Sequence, residues 1–509
     1  MTSDKPKTIR LHPDDNVVVA RVDMAPGDRF GNQDLCCKDP IPAGHKVAVR
    51  AISAGRAIIK YGQIIGFASV AIQPGEQVHT HNVALKDFSR ETAIGCDAAP
   101  ARGAVGSQTA SFSGIVRPDG TVATRNYVAI LPTVNCSAGV ARFIADGVAG
   151  ELRSRYPNID GVVALVHQSG CCSPGDSEGL QILQRTLAGY ARHPNFGAVL
   201  VIGLGCEVNQ VECLMANMGL AENQRLKTLD IQSTGGTRAT VEKGIALIGK
   251  MLPEADRVQR QPVPASHILL GLECGGSDAY SGISANPALG AAVDLLVGSG
   301  GTAILSETPE IYGAEHLLTR RSERPEVGEK LLRRIRWWEK HTARLESAID
   351  NNPTPGNKAG GITTIMEKSL GAVAKAGSTN LVEVYQYAEP VTEKGLVFMD
   401  TPGYDPASVT GMVAGGANVI CFTTGRGTVY GVKPVPTLKL ASNSSMYRRL
   451  ADDMDVNCGV IIDGDRSVEE LGELIFRQIL ETASGRKTRS EQHGFGDCEF
   501  VPWHIGAIL

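Results

Sequence analysis

A chain of 509 residues is larger than a single hydrophobic core supports, so we expect roughly two to four domains. A hydrophobic fraction of 42% and a charged fraction of 20% are typical of globular proteins and exclude a disordered or fibrous chain. The net charge of −4 disfavours a nucleic-acid-binding surface, which normally carries a basic excess.

Apolar runs and cysteine usage indicate the compartment. The sequence has no apolar run long enough to cross a bilayer, and its first residues lack the apolar core of a signal peptide. We therefore expect a cytoplasmic protein with no membrane partner. The 12 cysteines occur in a long chain with ample apolar material, which favours reduced thiols over a disulfide scaffold.

Residues 1–92 carry a short repeated pattern. Each copy has an apolar residue, two small or turn-forming residues, a glycine and a return to an apolar residue. The copies begin at Met24, Ile41, Ile52 and Ile72. Two strands joined by a tight turn that requires glycine fit this pattern. The repeat predicts a small β domain without substantial helix, followed by a linker over 93–113 that is rich in small and polar residues.

The rest of the chain alternates short apolar runs with helix-like segments. The predicted strands lie at 127–131, 161–166, 198–203, 267–272, 302–306, 396–399, 419–423 and 459–462. Buried strands that alternate with helices are typical of a mostly parallel sheet covered on both faces. We expect two Rossmann-like α/β domains, over 114–263 and 264–509, with a long exposed helix within 320–350.

Four cysteines follow four of these predicted strands in chain order. They are Cys136, Cys171, Cys206 and Cys274, each in a polar loop that contains or adjoins glycine or asparagine. Ligands of open parallel sheets bind outside the carboxyl ends of the strands, so the four side chains are candidates for one metal site. The alternative is that they are small buried residues, as free cysteines often are.

Histidines form a second group of candidates. His79 and His81 share one face if they lie on a strand, and such a pair chelates a metal ion; the alternative is an exposed polar strand face. His167 lies in the same predicted loop as Cys171, which makes it a candidate for acid–base catalysis. His45 follows a glycine turn beside Lys46 and is a candidate for substrate binding.

Glycine-rich loops with a single cation form a third group. One contains Asn357 and Lys358, and the other contains Arg426. Such loops suit carboxylate or phosphate oxygens, with backbone amides as further donors. Neither loop is a Walker A sequence, and Gly203-Leu-Gly205 lacks the third glycine of a dinucleotide fingerprint. A nicotinamide-dependent dehydrogenase is therefore a disfavoured alternative.

The sequence resembles the altronate/galactarate dehydratase family over nearly its whole length. The motifs that carry the resemblance are GHKVAVRAISAGRAIIKYGQIIGFA, VHTHN, RPDGTVATRNYVAILPTVNC, VIGLGCE, GLECGGSDAYSGISANPALG, TPGNKAGGITTIMEKSLG and TTGRGTVYG. The first of these lies in a region similar to the small SAF-type β-clip domain of sialic-acid synthases and antifreeze proteins. The resemblance implies a β-clip domain ahead of the two α/β domains.

The resemblance also implies a reaction. A 2,3-dihydroxy acid loses water to give a 2-keto-3-deoxy acid, with dependence on Fe²⁺ or a similar divalent ion such as Mn²⁺. The strings VHTHN and RHPNFGAVLVIGLGCEVNQVE favour D-altronate, which would give 2-dehydro-3-deoxy-D-gluconate. Galactarate or another sugar acid, and sulfolactate in two-chain sulfo-lyases of similar architecture, are alternatives. A sugar-acid-binding protein without turnover is the non-enzymatic alternative.

Dehydration next to a carboxylate requires a Lewis acid, a base and an acid. The predicted metal ligands are Cys136, Cys171, Cys206, Cys274, His79 and His81, with an iron–sulfur cluster as the alternative because thiolates favour such centres. The predicted acid–base residues are His167, Lys358 and Asp278. The predicted substrate-binding residues are His45, Glu207, Glu307, Asn357 and Arg426. We expect a homodimer, the commonest soluble oligomer.

Overall fold

The structure is a computed structural model, and it describes residues 5–31, 35–86, 93–99, 110–171, 175, 177–349 and 352–506. Within these residues a small N-terminal β domain precedes a middle and a C-terminal α/β domain, each with a parallel sheet. The fold class predicted from the sequence is confirmed. None of the helices in the described part of the chain is long and apolar enough to span a membrane.

The N-terminal domain consists of short antiparallel strands. They are β1 (Thr8–Ile9), β2 (Val17–Ala20), β3 (Arg29–Phe30), β4 (Leu35–Cys36), β5 (Lys46–Ala48), β6 (Ala57–Lys60), β7 (Gln63–Ala68), β8 (Gln77–Val78) and β9 (Val83–Ala84). They pair in the orders β1-β2-β5-β8, β3-β4 and β6-β7-β9. Residues 5–31 and 35–86 contain no helix, as predicted.

The repeated sequence pattern explains this domain. Its four glycines have φ between +80° and +91°, a region that residues with a Cβ rarely adopt: Gly27, Gly44, Gly55 and Gly75. The apolar residues that begin the four copies pair across the domain, Met24 with Ile41 and Ile52 with Ile72. The predicted glycine turns are therefore confirmed, and each turn brings a buried apolar residue back to the core.

The middle domain has strands and helices in alternation. Its strands are β10 (Ser111–Val116), β11 (Val122–Ala123), β12 (Tyr127–Pro132), β13 (Gly161–Ala164), β14 (Phe196–Gly203), β15 (Leu226–Asp230) and β16 (Arg260–Pro264). Its helices are α1 (Ala138–Arg155), α2 (Glu178–Arg192), α3 (Val211–Asn217), α4 (Ile231–Thr234) and α5 (Thr237–Ala255). The parallel order β13-β12-β14-β15 is called the middle sheet below.

Three segments without a predicted strand form a separate antiparallel sheet in the order β11-β10-β16. Strand β10, whose first residues end the predicted linker, pairs with β16 along Ser111 to Ile115. The rest of the predicted linker lies partly outside the described residues. Since β16 leads directly into the next domain, this pairing ties the beginning and the end of the middle domain together.

The C-terminal domain contains the larger parallel sheet. Its strands are β17 (Leu269–Cys274), β18 (Thr302–Leu305), β19 (Leu381–Tyr385), β20 (Gly395–Met399), β21 (Val419–Thr424), β22 (Thr437–Ala441) and β23 (Val456–Asn457). Its helices are α6 (Ala285–Gly298), α7 (His316–Thr319), α8 (Pro325–Arg344), α9 (Pro355–Ala359), α10 (Ile365–Val373), α11 (Asp405–Ala414), α12 (Ser444–Arg449), α13 (Val468–Ala483) and α14 (Arg489–His493). The strand predicted at 459–462 is wrong, because Cys458–Val460 forms a 3₁₀ turn after β23.

The strand order of this C-terminal sheet is β19-β20-β18-β17-β21-β22-β23, all parallel. From β17 the chain first builds outward through β18, and it then crosses to the other side of β17 to form β21. A change of direction of this kind opens a crevice between the loops that follow β17 and β21. This crevice is the expected ligand site of the domain.

The two parallel sheets present their carboxyl ends on one face of the molecule. Their amino ends are in contact, since Thr124 Oγ1 donates to the Asn418 carbonyl at 2.7 Å. At the opposite end, the C-terminal segment 500–506 contacts both domains. His504 Nδ1 lies 3.2 Å from Ser169 Oγ of the middle domain, and Trp503 stacks on Trp338 of α8 with ring centres 5.3 Å apart.

The N-terminal domain docks on the C-terminal domain through a buried ion cluster. Lys46 and Lys60 both bond to the Glu367 carboxylate, with nitrogen–oxygen distances of 2.9 Å, and all three side chains are at most 1% exposed. Burial lowers the pKa of Lys46 to about 8. Burial alone would raise the pKa of Glu367, but the two lysine charges outweigh it and lower that pKa.

Removal of Glu367 tests this docking. We expect Glu367→Ala to lower the free energy of unfolding by roughly 3–5 kcal/mol, because two buried lysines lose their counter-ion. Urea unfolding followed by circular dichroism measures the change. The control is Glu242→Ala, which removes an exposed i,i+4 partner of Arg238. If the two variants lose equal stability, the docking role is wrong.

Candidate active site

Three of the four predicted cysteine ligands lie on neighbouring loops. Cys136, Cys171 and Cys206 follow the adjacent strands β12, β13 and β14 of the middle sheet, and all three are exposed. The loops are tied to each other, since Asn135 N donates to the Ser169 carbonyl and Asn209 N to the Gly170 carbonyl, each at 3.1 Å. The carboxyl edge of the middle sheet therefore presents a set of thiols to solvent.

Cys274 belongs to a different site. It ends β17 of the C-terminal sheet and is 1% exposed. Its thiol donates to Glu310 Oε2 at 3.3 Å, and burial raises the pKa of that thiol well above its usual value. The predicted set of four cysteines is thus split, because the fourth strand lies in another sheet.

His167 is buried with both ring nitrogens engaged. Nε2–H donates to the Pro132 carbonyl at 2.9 Å, and Nδ1 accepts from Ser169 N at 3.2 Å. Burial lowers the pKa of this imidazole to about 4. This geometry favours a neutral imidazole that holds the thiol-bearing loops in position. It disfavours the predicted role of His167 in acid–base catalysis.

Two predicted substrate-binding residues hold loops in place. Glu207 is buried and accepts from Thr133 Oγ1 at 2.8 Å and from Gly205 N at 2.6 Å. Asn357 caps α9 by accepting from Thr354 N at 2.9 Å and donates to the Ser277 carbonyl at 2.8 Å. These bonds use the side chains internally, so the structure favours positioning over substrate contact for both.

The predicted histidine pair is not on a strand. Strand β8 ends at Val78, and Asn82 N donates to the His79 carbonyl across a turn. His79 is half-buried with its ring centre 4.7 Å from that of His45, whereas His81 is exposed. The prediction that His79 and His81 share one face of a strand is therefore wrong. His45 and His79 instead form the pair at the seam between the N-terminal and C-terminal domains.

Lys358 and Arg426 are both exposed. Lys358 borders an open groove with Thr80 of the N-terminal domain. The predicted role of Lys358 as a base requires a buried side chain, and this side chain is exposed. Arg426 follows β21, and its backbone N–H donates to the Gly276 carbonyl at 2.9 Å, which places it beside the crevice of the C-terminal sheet. That position suits the predicted contact with a substrate carboxylate.

Asp278 is buried beneath the same crevice. Its Oδ1 accepts from Ser281 Oγ at 2.9 Å and from Ser442 Oγ at 2.7 Å, and Oδ2 accepts from Asn443 Nδ2 at 3.0 Å. Burial raises the pKa of this carboxyl group, and the hydrogen bonds oppose the change. Asp278 thus joins the loops after β17 and β22, and a catalytic role would require some of these bonds to open.

A buried cluster of acids and lysines lies at the carboxyl edge of the C-terminal sheet. Its members are Glu273, Cys274, Glu307, Glu310, Lys368, Lys375 and Asp405. Glu307 Oε2 bonds to Lys375 Nζ at 3.1 Å, and Glu310 Oε1 bonds to Lys368 Nζ at 2.6 Å. A Cβ atom at Gly275 would collide with Asp405 Oδ2, so a glycine after Cys274 leaves room for this carboxylate.

The cluster has unusual electrostatics. Burial and the charge of Glu307 raise the pKa of Asp405 to about 7. Burial also raises the pKa of Glu307, with Glu310 as the next cause. Burial would lower the pKa of Lys375, but the surrounding thiol and carboxylates raise it. Perturbed groups gathered at one strand edge are typical of a functional site.

The main chain at Glu307 is strained in the same place. Its φ is +66°, which non-glycine residues rarely adopt, and Glu307 N donates to Thr401 Oγ1 at 2.8 Å. Such conformations persist where surrounding contacts hold a side chain for function. Here the strained residue directs its carboxylate toward Cys274 and Lys375.

Family models match all three domains. "Altronate/galactarate dehydratase SAF domain" matches residues 6–86, "D-galactarate dehydratase/Altronate hydrolase, second domain" matches 114–256, and "D-galactarate/Altronate dehydratase, C-terminal" matches 265–508. The chain belongs to the altronate/galactarate dehydratase family. The resemblance that the sequence motifs indicated is confirmed.

Curated relatives match over most of their length. The chain is 35% identical to altronate dehydratase of Bacillus subtilis, covering 96% of this chain and 97% of the relative. It is 37% identical to galactarate dehydratase (L-threo-forming) of Escherichia coli, covering 96% and 94%. It is 31% identical to (2R)-sulfolactate sulfo-lyase subunit beta of Chromohalobacter salexigens, covering 77% and 96%.

Sequence reasoning missed most of the acid–lysine cluster in this family member. Glu273 adjoins Cys274 at a predicted strand end, and Glu310 lies three residues after Glu307, so proximity in sequence was an available signal. Lys368, Lys375 and Asp405 reach the cluster from other elements, and their spacing gives no signal. His504, which meets Ser169 at the thiol edge, was likewise visible only after folding.

The state of His167 is directly measurable. We expect its imidazole NMR signals to stay at neutral-form positions from pH 8 to about 5, because burial lowers the pKa to about 4. Since the folded pKa lies below the ordinary 6.5, the stability that His167 contributes is fully present above that pH and is lost as the pH falls toward 4. His167→Gln assigns the signals. Titration near pH 6.5 would contradict the positioning role.

Proposed function

We propose that the protein is a hydro-lyase that removes water from a sugar acid. The observation that carries this proposal is similarity along 96% of the chain to dehydratases of two different sugar acids. Both relatives extend over the same three domains as this chain. We therefore expect this chain to share the reaction class of these relatives, which is dehydration.

D-altronate is the proposed substrate, with 2-dehydro-3-deoxy-D-gluconate as the product. The VHTHN motif supports it, and this motif lies at the seam between the N-terminal and C-terminal domains, where His79 meets His45. Identities of 35% and 37% to the altronate and galactarate enzymes do not separate the two substrates. Galactarate is the second candidate for that reason.

The crevice of the C-terminal sheet is the proposed place of this reaction. The carbon next to a carboxylate is a weak acid, so its deprotonation requires stabilisation of the negative charge that develops. Exposed Arg426 is the proposed partner of the substrate carboxylate, because Lys368 and Lys375 are each paired with a carboxylate of the cluster. The proposed proton carriers are carboxyl groups of the cluster, because both ring nitrogens of His167 are engaged in other hydrogen bonds.

Iron is the proposed cofactor, and the exposed thiols fit it. Cys136, Cys171 and Cys206 supply sulfur donors from three adjacent loops, which suits an iron–sulfur cluster better than a single Fe²⁺ or Mn²⁺ ion. When bound, iron supplies a Lewis acid that polarises substrate oxygens. The chain's own contribution is to hold the three loops, through His167, Glu207 and Asn209.

We also propose the cytoplasm as the compartment and a homodimer as the assembly. A reducing compartment suits the exposed thiols. The dimer follows from the prevalence of symmetric pairs among soluble enzymes. Light scattering of the purified chain, whose monomer mass is 53.8 kDa, measures the assembly.

An anaerobic substrate panel tests the reaction. The protein is supplied with ferrous iron and offered D-altronate, galactarate, other sugar acids and (2R)-sulfolactate. We expect a 2-keto-3-deoxy acid from D-altronate. Product from galactarate alone would correct the substrate, and sulfite from sulfolactate would correct the leaving group. Binding of a sugar acid without turnover by iron-loaded protein would overturn the enzymatic proposal.

Serine substitutions test the thiols. We expect Cys136→Ser, Cys171→Ser and Cys206→Ser each to lower the iron content and to reduce turnover by more than about tenfold. Cys213→Ser, an exposed cysteine of the same domain, is the matched control. A brown anaerobic preparation that is bleached by these substitutions would support a cluster. Equal iron in all four variants would remove the thiols from the proposal.

A further inference from the structure

The C-terminal segment 500–506 crosses from the C-terminal domain to the middle domain, and we call it the C-terminal strap. Trp503 N donates to Tyr387 Oη at 3.1 Å, which fixes the strap to the C-terminal domain. The next residue reaches the loop after β13, where His504 Nδ1 lies 3.2 Å from Ser169 Oγ. Two consecutive residues of the strap therefore contact two different domains.

The strap also packs closely against helix α2 of the middle domain. The Phe500 side chain is 5% exposed, and its ring meets the Tyr190 ring nearly edge-on, with ring centres 4.7 Å apart. A Cβ atom at Gly179 would collide with the Ile505 carbonyl oxygen, so the glycine lets the backbone of the strap approach the start of α2. These contacts fix a segment near the chain end, where residues are poorly ordered unless they are tied down.

The two α/β domains do not depend on the strap to stay together. One buried apolar cluster contains residues of both, among them Leu187 and Phe196 of the middle domain and Met412 and Phe422 of the C-terminal domain. Burial of apolar surface is the dominant stabilising term in such packing. The strap therefore adds something other than domain docking, namely its contact with a loop.

The contacted loop, residues 167–171, carries an exposed thiol and is called the Cys171 loop below. Within it, Ser169 N donates to His167 Nδ1 at 3.2 Å, and the Ser169 carbonyl accepts from Asn135 N at 3.1 Å. Both bonds stay inside the middle domain. The contact of Ser169 Oγ with His504 ties the same loop to a segment outside that domain.

The strap leads in the other direction to the acid–lysine cluster. Trp503 stacks on Trp338, with ring planes 7° from parallel. Trp338 Nε1 donates to Asp400 Oδ1 at 2.8 Å, and Thr308 Oγ1 donates to the same oxygen at 2.5 Å. Thr308 directly follows Glu307, the strained residue of the cluster. A continuous set of contacts thus joins the thiol edge of the middle sheet to the cluster.

We propose that the C-terminal strap positions the Cys171 loop and couples it to the acid–lysine cluster, with Trp503 and His504 as the positioning residues. Two sites are coupled when both bias the same element, and here that element is the strap. Such a coupling is reciprocal, so a change at either end alters the other. The ordering of the loop is independent of any reaction, whereas an effect on turnover rests on the proposed function.

Hydrogen–deuterium exchange of the full chain, read by mass spectrometry, tests the positioning. We expect Trp503→Ala and His504→Ala each to speed the exchange of the Cys171 loop amides at least about fivefold, because a loop that loses a contact opens more often. Trp503→Phe keeps an aromatic ring against Trp338 and should restore most of the protection. His504→Ala changes an exposed side chain, so it keeps the test valid if Trp503→Ala folds poorly.

The matched control is His493→Ala. This exposed histidine lies in α14, and its Nε2 is 3.0 Å from the Asp452 carbonyl, away from the strap. It should leave the exchange of the Cys171 loop unchanged. Wild-type exchange in both Trp503→Ala and His504→Ala would overturn the positioning role.

Intrinsic fluorescence tests the coupling. The sequence has three tryptophans, and all of them lie at the strap, since Trp337 and Trp338 both contact Trp503. We expect iodoacetamide to shift the emission of the wild-type chain but not of Cys171→Ser, and the shift to be lost in His504→Ala. An unshifted emission in wild-type chain whose Cys171 is shown by mass spectrometry to be alkylated would overturn the coupling.

Neither readout requires a substrate, so the proposal and the proposed function can fail separately. A strap that orders the Cys171 loop in a chain that turns over none of the sugar acids would retain the proposal and reject the proposed function. Turnover of a sugar acid by a chain whose loop exchanges equally fast with and without the strap contacts would do the reverse.

Discussion

Glu367 is the residue on which the arrangement of the domains depends. A carboxylate this deeply buried is tolerated only because Lys46 and Lys60, from another domain, supply its counter-charges. The next residue in the same helix, Lys368, points to Glu310 and the acid cluster. One helix, α10, therefore connects the docking of the N-terminal domain to the electrostatics of the candidate active site.

This connection has a mechanistic consequence. The N-terminal domain brings His45 and His79 to the seam, and Lys46 also donates to the Gly361 carbonyl at 2.6 Å, in the glycine-rich loop after α9. The loop around Asn357 and Lys358 is held between the two domains by these contacts. The small β domain thus contacts the glycine-rich loop after α9, and its removal would leave Glu367 without its counter-charges.

The second organising constraint is the shared direction of the two parallel sheets. Because their carboxyl ends lie on one face, the thiols of the middle domain and the carboxylates of the C-terminal domain are presented on the same side of the molecule. The C-terminal segment 500–506 lies across both edges. The two sets differ in chemistry, since the thiols are soft donors and exposed, whereas the carboxylates are hard donors and mostly buried.

Local signals in the sequence determined the fold class, the glycine turns of the first domain and most strands of the parallel sheets, because each depends on short-range periodicity or on the φ that glycine alone adopts readily. Local signals also placed three cysteines after adjacent strands. They did not show that the Cys274 thiol contacts Glu310, that His167 is engaged at both nitrogens, or that residues 79–82 turn.

Only the tertiary structure decided which side chains share a site. Glu273, Glu307 and Asp405 lie on three elements whose proximity follows from the point where the C-terminal sheet changes direction, and strand order is not encoded in the spacing of residues along the chain. Burial and pairing are likewise properties of the packed molecule. The sequence determined the kinds of groups available for chemistry, and the packing of the domains decided which of them meet.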